Sequence, residues 1–144
     1  MEQRVDKPTG EDLLRIEAQR DWVRNHFSPD ALHKYDLLPE KLRLLQVILD
    51  AGWIERGETV KLQSLGITLG DALVQELGME WVMVEDEYGR DPAIRLPGTT
   101  VILFPLTMIS KRLERAEAVN VVELFNGVRK LAQAMAADPD YRLH

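Results

Sequence analysis

The sequence predicts an α+β domain in which N-terminal helices precede a three-stranded antiparallel β-meander and two C-terminal helices follow it. Leucines recur at helical spacing across residues 62–77, which is typical of an amphipathic helix. Three short strand-like runs then lie between residues 81 and 104, joined by turn signals, and such short connections join only antiparallel neighbours. A length of 144 residues predicts a single domain over 1–144, with residues 1–8 and 138–144 expected to fray.

Helices account for the first half of the chain. Thr9 and Asp12 have the spacing of a capping box and predict a helix over residues 9–27. A second helix over residues 38–52 carries leucines on one face and ends at Gly52, since glycine adopts the left-handed conformation of a helix terminus without steric cost. We expect both helices to pack their apolar faces on the rest of the domain.

The third predicted helix, residues 59–77, contains two glycines. Gly66 and Gly70 lie four residues apart and therefore on the same side of the helix. Each costs the helix up to about 1 kcal/mol relative to alanine. The pair predicts that another backbone packs closely against this side, and the alternative is that the gap admits a ligand.

The meander is predicted over residues 81–84, 93–96 and 100–104. Pro105 ends the last strand and begins a helix, and Asn120 caps a final helix that runs to about residue 136. The predicted core takes large apolar residues from every element: Trp22, Leu45, Leu65, Leu69, Leu73, Trp81, Val82, Val84, Ile94, Ile102, Phe104, Ile109 and Phe125.

Composition excludes several classes of protein. A net charge of −6 disfavours nucleic-acid binding, which depends on neutralising phosphates with lysine and arginine. The longest apolar runs are far shorter than the roughly 20 residues of a membrane span, and the N-terminus has no apolar leader. Cysteine is absent, which removes disulfides and thiolate sites. A cytoplasmic, bacterial-type protein is the prediction.

The sequence contains none of the common catalytic or metal-binding motifs. His26, His33 and His144 do not have the spacing of a ligand pair on one helix. The chain has neither a serine in a nucleophile elbow nor a glycine-rich loop between strand and helix. The sequence therefore predicts no metal and no cofactor, and it favours a non-enzymatic role.

Charged residues concentrate around the first hairpin, together with an aromatic that can anchor a partner. Asp86 precedes the turn and is suited to bond turn amides. A solvated hairpin with cross-strand ion pairs is the alternative interpretation. A smaller basic patch follows on the next helix. The candidate binding residues are Asp86, Glu87, Tyr88, Arg90 and Arg95 in the hairpin, and Lys111 and Arg112 in the patch.

The second half of the chain resembles a bacterial family known as domain of unknown function 3806. The resemblance rests on the segments LGITLGDAL, ELGMEWVMVEDEYGRDPAIR and FPLTMISKRLE. The family has no established activity, so the resemblance implies an α+β order of elements and transfers no catalytic residue or ligand.

Three functional hypotheses follow. The favoured one is a protein-binding module that uses the sheet edge or the hairpin, and its specific version is an immunity-type antitoxin whose acidic charge blocks a basic toxin. The second is a hydrolase-like or other enzyme that uses Asp86, Glu87 and Arg95. The third is a homo-oligomeric structural protein, such as a homodimer, in which the strand 100–104 pairs across a two-fold axis.

Overall fold

The structure, a computed structural model, describes residues 2–55 and 57–143. Met1 and His144, which belong to the two ends expected to fray, lie outside the described residues. The helices and strands follow in the order β1 (Arg4–Asp6), α1 (Gly10–Arg24), α2 (Leu38–Asp50), α3 (Thr59–Leu77), β2 (Glu80–Asp86), β3 (Gly89–Arg95), β4 (Ile102–Leu103), α4 (Met108–Glu114) and α5 (Val121–Ala137).

The strands form one antiparallel sheet in the order β1-β2-β3-β4, which confirms the α+β fold class. Residues 4–6, within the segment 1–8 expected to fray, form β1, which pairs with β2 in the register Arg4↔Glu85. The sheet thus has one strand more than the sequence predicted. Val5 is half-buried opposite Val84, and this apolar contact helps to hold the short strand at the sheet edge.

The last predicted strand is shorter than expected, because only Ile102–Leu103 pairs with β3. The chain just before it is held instead by the C-terminal segment. Thr100 N–H donates to the Tyr141 carbonyl at 2.7 Å, and Leu143 N–H donates to the Gly98 carbonyl at 3.2 Å. The segment 138–143, which was expected to fray, is thus bonded to the sheet end.

Helix α3 lies at the centre of the domain, in contact with both α1 and α2. Its two glycines are packing positions, as predicted. A Cβ on Gly66 would lie 2.6 Å from the Cα of Leu106, and one on Gly70 would lie 2.6 Å from the Trp81 indole. The glycines therefore admit a backbone on one turn of the helix and an aromatic ring on the next.

Most of the predicted core is buried. Phe104 is an exception, because it is 41% exposed. Val101 and Leu103 point inward, and the alternation of side chains along an extended segment turns the residues after them outward. Ile102, Trp22 and Trp81 are half-buried at the margin of the core rather than inside it.

Candidate functional site

A groove of about 450 Å³ lies between helix α1, the first turns of α3 and strand β3. Its volume falls within the range of small-ligand and side-chain pockets. We call it the α1–β3 groove. Its walls are formed by Asp12, Arg15, Ile16, Ala18, Gln19, Val60, Gln63, Met83, Arg90, Asp91, Pro92 and Leu106.

The floor of the groove is apolar. Ile16, Met83 and Leu106 pack together with Ile67 in a cluster separate from the main core. Met83 reaches the cluster because it lies on the sheet face that carries Trp81, two residues earlier in the strand. An apolar side chain entering the groove would therefore meet an apolar surface.

One end of the groove is built by a buried ion pair. Asp12 is 4% exposed, and its Oδ2 accepts a hydrogen bond from Arg90 Nη2 at 2.6 Å. The same carboxylate accepts from the Thr9 backbone N–H at 2.8 Å and completes the predicted capping box. The Arg90 hydrogen bond, then that of Thr9, lowers the pKa of Asp12 from 3.8 to about 2. Asp12 thus joins the start of α1 to the hairpin.

Other polar groups around the groove have no such partner. Arg15, Gln19 and Gln63 line the walls, and none of these side chains makes a hydrogen bond to another described residue. Asp91, on the β3 side, makes no ion pair there either. The groove therefore presents a cation on its helical wall and a carboxylate on its strand wall, both available to a ligand.

The open edge of β3 borders the groove but is poorly suited to pair with another strand. Backbone groups alternate in direction along a strand, and Leu96, just after β3, donates its N–H to the Val101 carbonyl on the β4 side. Pro92 lies an even number of residues earlier, so its backbone also faces the β4 side. Beyond β4 this side is open, and Pro92 has no N–H to offer there. Proline at this position therefore makes the edge of β3 a poor partner for another strand.

The candidate residues of the hairpin separate into different places. Arg90 lies in the groove, whereas Asp86 and Tyr88 lie at the tip, where Tyr88 is 89% exposed. Asp86 accepts a hydrogen bond from the Tyr88 N–H at 2.8 Å, as its position before the turn predicted. Arg95 pairs with Glu80 at the far end of the hairpin, 2.8 Å away.

This separation removes the catalytic arrangement suggested by the sequence. Asp86 pairs with Gly89 beside the tip, and Arg95 lies six residues further along β3. At about 3.3 Å per residue the two ends of that span are roughly 20 Å apart. Asp86, Glu87 and Arg95 therefore do not form one site.

The basic patch lies on a third part of the surface. Lys111 is exposed on α4, and Arg112 Nη1 donates to the Met108 carbonyl at 3.1 Å within the same helix. Arg112 also borders a second, smaller cavity of about 230 Å³ next to Asn120 and Glu123. The patch is not continuous with the α1–β3 groove, whose wall residues do not include it.

A largely buried polar cluster, which the sequence did not reveal, lies one helical turn beyond the groove floor residues Ile16 of α1 and Ile67 of α3. Asp71 accepts two hydrogen bonds from Arg20, at 2.6 and 2.8 Å, one from the Tyr35 hydroxyl at 2.6 Å and one from the Trp81 indole at 3.0 Å. Tyr35 also shares a hydrogen bond with Thr68 at 2.9 Å. We call these five residues the Asp71 cluster.

Electrostatics fixes the charge states of this cluster. Burial, and then the charge of Asp71, raises the pKa of Tyr35, so the hydroxyl stays protonated and donates. The hydrogen bonds that Arg20 donates to Asp71 raise the pKa of Arg20. An aspartate directly after Gly70, in a segment of α3 (residues 65–74) that has no other charged residue, was the one local signal that could have indicated this cluster.

His26 takes a structural position in the described part of the chain. The His26 ring stacks on Trp53 with centroids 5.5 Å apart, and its Nδ1 lies 2.7 Å from the Trp22 carbonyl. Across residues 2–55 and 57–143, no three His, Asp or Glu side chains are grouped so as to hold a metal ion. Within the same residues, no helix has the length and apolar character to cross a bilayer.

Comparison with known proteins identifies a family. The family described as Domain of unknown function (DUF3806) matches residues 41–125, more than half of the chain. That segment supplies the α3 and β3 walls of the groove and the floor residue Leu106, whereas the α1 wall lies before it. No curated protein matches the chain.

One solved structure, from Bacteroides thetaiotaomicron VPI-5482, shares the fold with a TM-score of 0.71 and 18% sequence identity. The match covers 89% of this chain and 47% of the other, so this chain spans about half the length of that protein. The agreement over most of the chain supports the arrangement of helices and sheet described above.

Proposed function

The chain belongs to the DUF3806 family, and we propose that it is a non-enzymatic protein-binding domain whose recognition site is the α1–β3 groove. The observation that carries this proposal is the combination of an apolar floor with polar wall groups that have no partner within the described fold. A groove of this kind suits an apolar anchor residue of a partner, flanked by polar contacts that fix its orientation.

Charge complementarity indicates the character of the partner segment. Arg15 on the helical wall favours an acidic residue, and Asp91 on the strand wall favours a basic one. The two walls thus select a segment in which an apolar side chain lies between residues of opposite charge. A predominantly basic toxin, the occupant of the antitoxin hypothesis, would use only the Asp91 side of this arrangement. A cytoplasmic site of action in bacteria completes the proposal, because cysteine is absent and the charge is acidic.

Site-specific photo-crosslinking tests the proposal. A photoreactive phenylalanine analogue at Val60, which lies on the rim and is 67% exposed, should form a covalent adduct with a partner in cells of the source organism. The matched control is the same analogue at Val122, which is 52% exposed on α5. We expect a discrete adduct at Val60 alone.

A groove-filling variant then assigns the adduct to the groove. Ala18→Trp should fill the space and abolish the adduct, whereas Ala134→Trp, on the exposed side of α5, should leave it unchanged. Sequencing the crosslinked peptide of the partner should reveal an apolar residue between an acidic and a basic one. Equal adducts at both positions, or an adduct that survives Ala18→Trp, would show that the groove is not the recognition site.

A further inference from the structure

Lys41 is a buried cation that borders a cavity distinct from the groove. It lies in the first turn of α2 and is 5% exposed. A positive charge at this end of a helix is unfavourable, because the helix dipole is itself positive there. A buried ammonium is normally paired with a carboxylate.

No carboxylate in the described part of the chain pairs with Lys41. Its Nζ donates to the Gln75 side-chain oxygen at 2.6 Å and lies 5.1 Å from the centre of the Tyr35 ring. The nearby carboxylate of Asp71 already accepts four hydrogen bonds from the Asp71 cluster. An ammonium has three donors, so Lys41 retains hydrogen-bonding capacity that the fold does not use.

Open space adjoins this cation. A cavity of about 350 Å³, open to solvent, is bordered by Lys41, Tyr35 and Gln75, and by Arg24 and Asp36. Arg24 Cζ lies at the same 5.1 Å distance from the Tyr35 ring centre as Lys41 Nζ. Arg24 uses only Nη1 for its bonds to Glu17 and Asp21, which leaves further N–H groups that can contribute to the cavity.

The charges around the cavity favour a ligand with one negative charge. Lys41 carries the single positive charge that lacks an ion-pair partner there, since the arginines are already paired. Asp36 and Asp71, which both border the cavity, would repel a dianion such as phosphate more strongly than a monoanion. A carboxylate also accepts hydrogen bonds in the geometry that an ammonium and a neighbouring guanidinium offer.

We propose that the cavity beside Lys41 binds the carboxylate group of a small molecule, with Lys41 Nζ as the principal hydrogen-bond donor and Tyr35 and Gln75 as its walls. This site is independent of the α1–β3 groove, because the two share no wall residue. It gives the domain a place to respond to a metabolite while a partner occupies the groove.

Acetate is the probe for the first test. Titration of the isotope-labelled protein with sodium acetate, at ionic strength held constant with sodium chloride, should produce saturable NMR shifts at the Lys41 side chain and the Gln75 amide. Inorganic phosphate should bind more weakly. Lys41→Met should lose the saturable response. A wild-type protein without saturable shifts at Lys41, a variant that keeps them, or tighter binding of phosphate would each overturn the proposal.

Gln75→Glu provides the second test, because it places a carboxylate within hydrogen-bond distance of Lys41 Nζ. We expect this variant to lose the acetate-dependent rise in melting temperature that binding to the native state produces. Gln133→Glu adds the same charge on the exposed face of α5 and should keep the acetate response. An acetate response that is equal in Gln75→Glu and the wild type would contradict the assignment.

Discussion

Asp71 accepts hydrogen bonds from Arg20, Tyr35 and Trp81, whereas Arg15 and Gln19 line the groove without a partner in the described fold. Helix α1 contributes to both sets, with Arg20 in the first and Arg15 and Gln19 in the second. In the Asp71 cluster the hydrogen bonds to the carboxylate all come from the fold itself and stabilise it. In the groove the fold does not use the side-chain donors, so an incoming molecule can bind them.

The two glycines of α3 serve these two regions separately. Gly66 lets the Leu106 backbone approach and so places the floor of the groove. Gly70 lets the Trp81 ring approach, and the Nε1 of that ring is one of the donors to Asp71. One side of a single helix therefore supports both a binding surface and a stabilising network, one turn apart.

Removal of the Asp71 carboxylate should have the largest effect on the stability of the fold. Asp71→Ala leaves Arg20, whose side chain is only 20% exposed, with only the more exposed carboxylate of Glu17. It also leaves the Trp81 indole without its acceptor, and such losses together cost roughly 3–5 kcal/mol. Urea denaturation should show this as a lower midpoint. Asp21→Ala removes an exposed ion pair from the same helix and should cost less than about 1 kcal/mol. Similar losses in the two variants would mean that the cluster does not stabilise the fold.

Gly66→Leu should be the next most damaging change. The new side chain would start against the backbone of Leu106, which cannot rotate away, so overpacking should cost about 1–3 kcal/mol or more. Gly127→Leu is the matched control, since a Cβ at that helical position meets nothing within 4 Å, and it should stabilise the protein slightly. Unchanged denaturation midpoints for Gly66→Leu would show that Leu106 can move aside.

The Asp12–Arg90 pair should make stability depend on pH. The pKa of Asp12 is lower in the folded state, so its contribution is fully present above 3.8 and is lost as the pH falls toward about 2. Asp12→Asn should cost about 1–2 kcal/mol at neutral pH and flatten the stability profile within that window. Arg90→Met should flatten it only in part, because the Thr9 N–H remains. A profile that is unchanged in both variants would contradict this account.

The smallest effect on stability should come from the hairpin tip. Asp86→Ala combined with Tyr88→Ala changes surface groups, and should cost less than roughly 1–2 kcal/mol. The same double variant should weaken the Val60 crosslink if the partner reaches from the groove to the tip. Undiminished crosslinking would confine recognition to the groove, and unfolding of Asp86→Ala alone would show that its bond to the Tyr88 amide is structurally essential.

Local signals predicted the helices well because their causes are local. The capping box of Thr9 and Asp12 and the left-handed Gly78 after α3 lie within a few residues of the helix ends that they define. Strand β1 gave no such signal. It has three residues, two of them charged, and it exists because β2 offers a partner far along the chain.

In the candidate site, too, the sequence predicted what depends on neighbouring residues and missed what depends on tertiary packing. Arg90 was predicted as a hairpin residue, but its pairing with Asp12 across 78 residues depends on how α1 docks, which periodicity does not specify. The Asp71 cluster unites residues of α1, α3, β2 and the 3-10 helix Pro29–Asp36. Each of them alone is an ordinary arginine, tyrosine or tryptophan, so their chemistry emerges only from tertiary packing.

The position of β1 also indicates the order in which parts of the domain fold. Strands β2 and β3 are joined by a two-residue turn, whereas Arg4 reaches Glu85 across 81 residues of chain, and such distant contacts form late because loop closure costs entropy. We expect the amides of β1 to exchange with deuterium sooner than those of β2 and β3. Since Asp12 follows β1 closely, the opening of this strand would loosen one wall of the groove while α3 and its contacts stay folded.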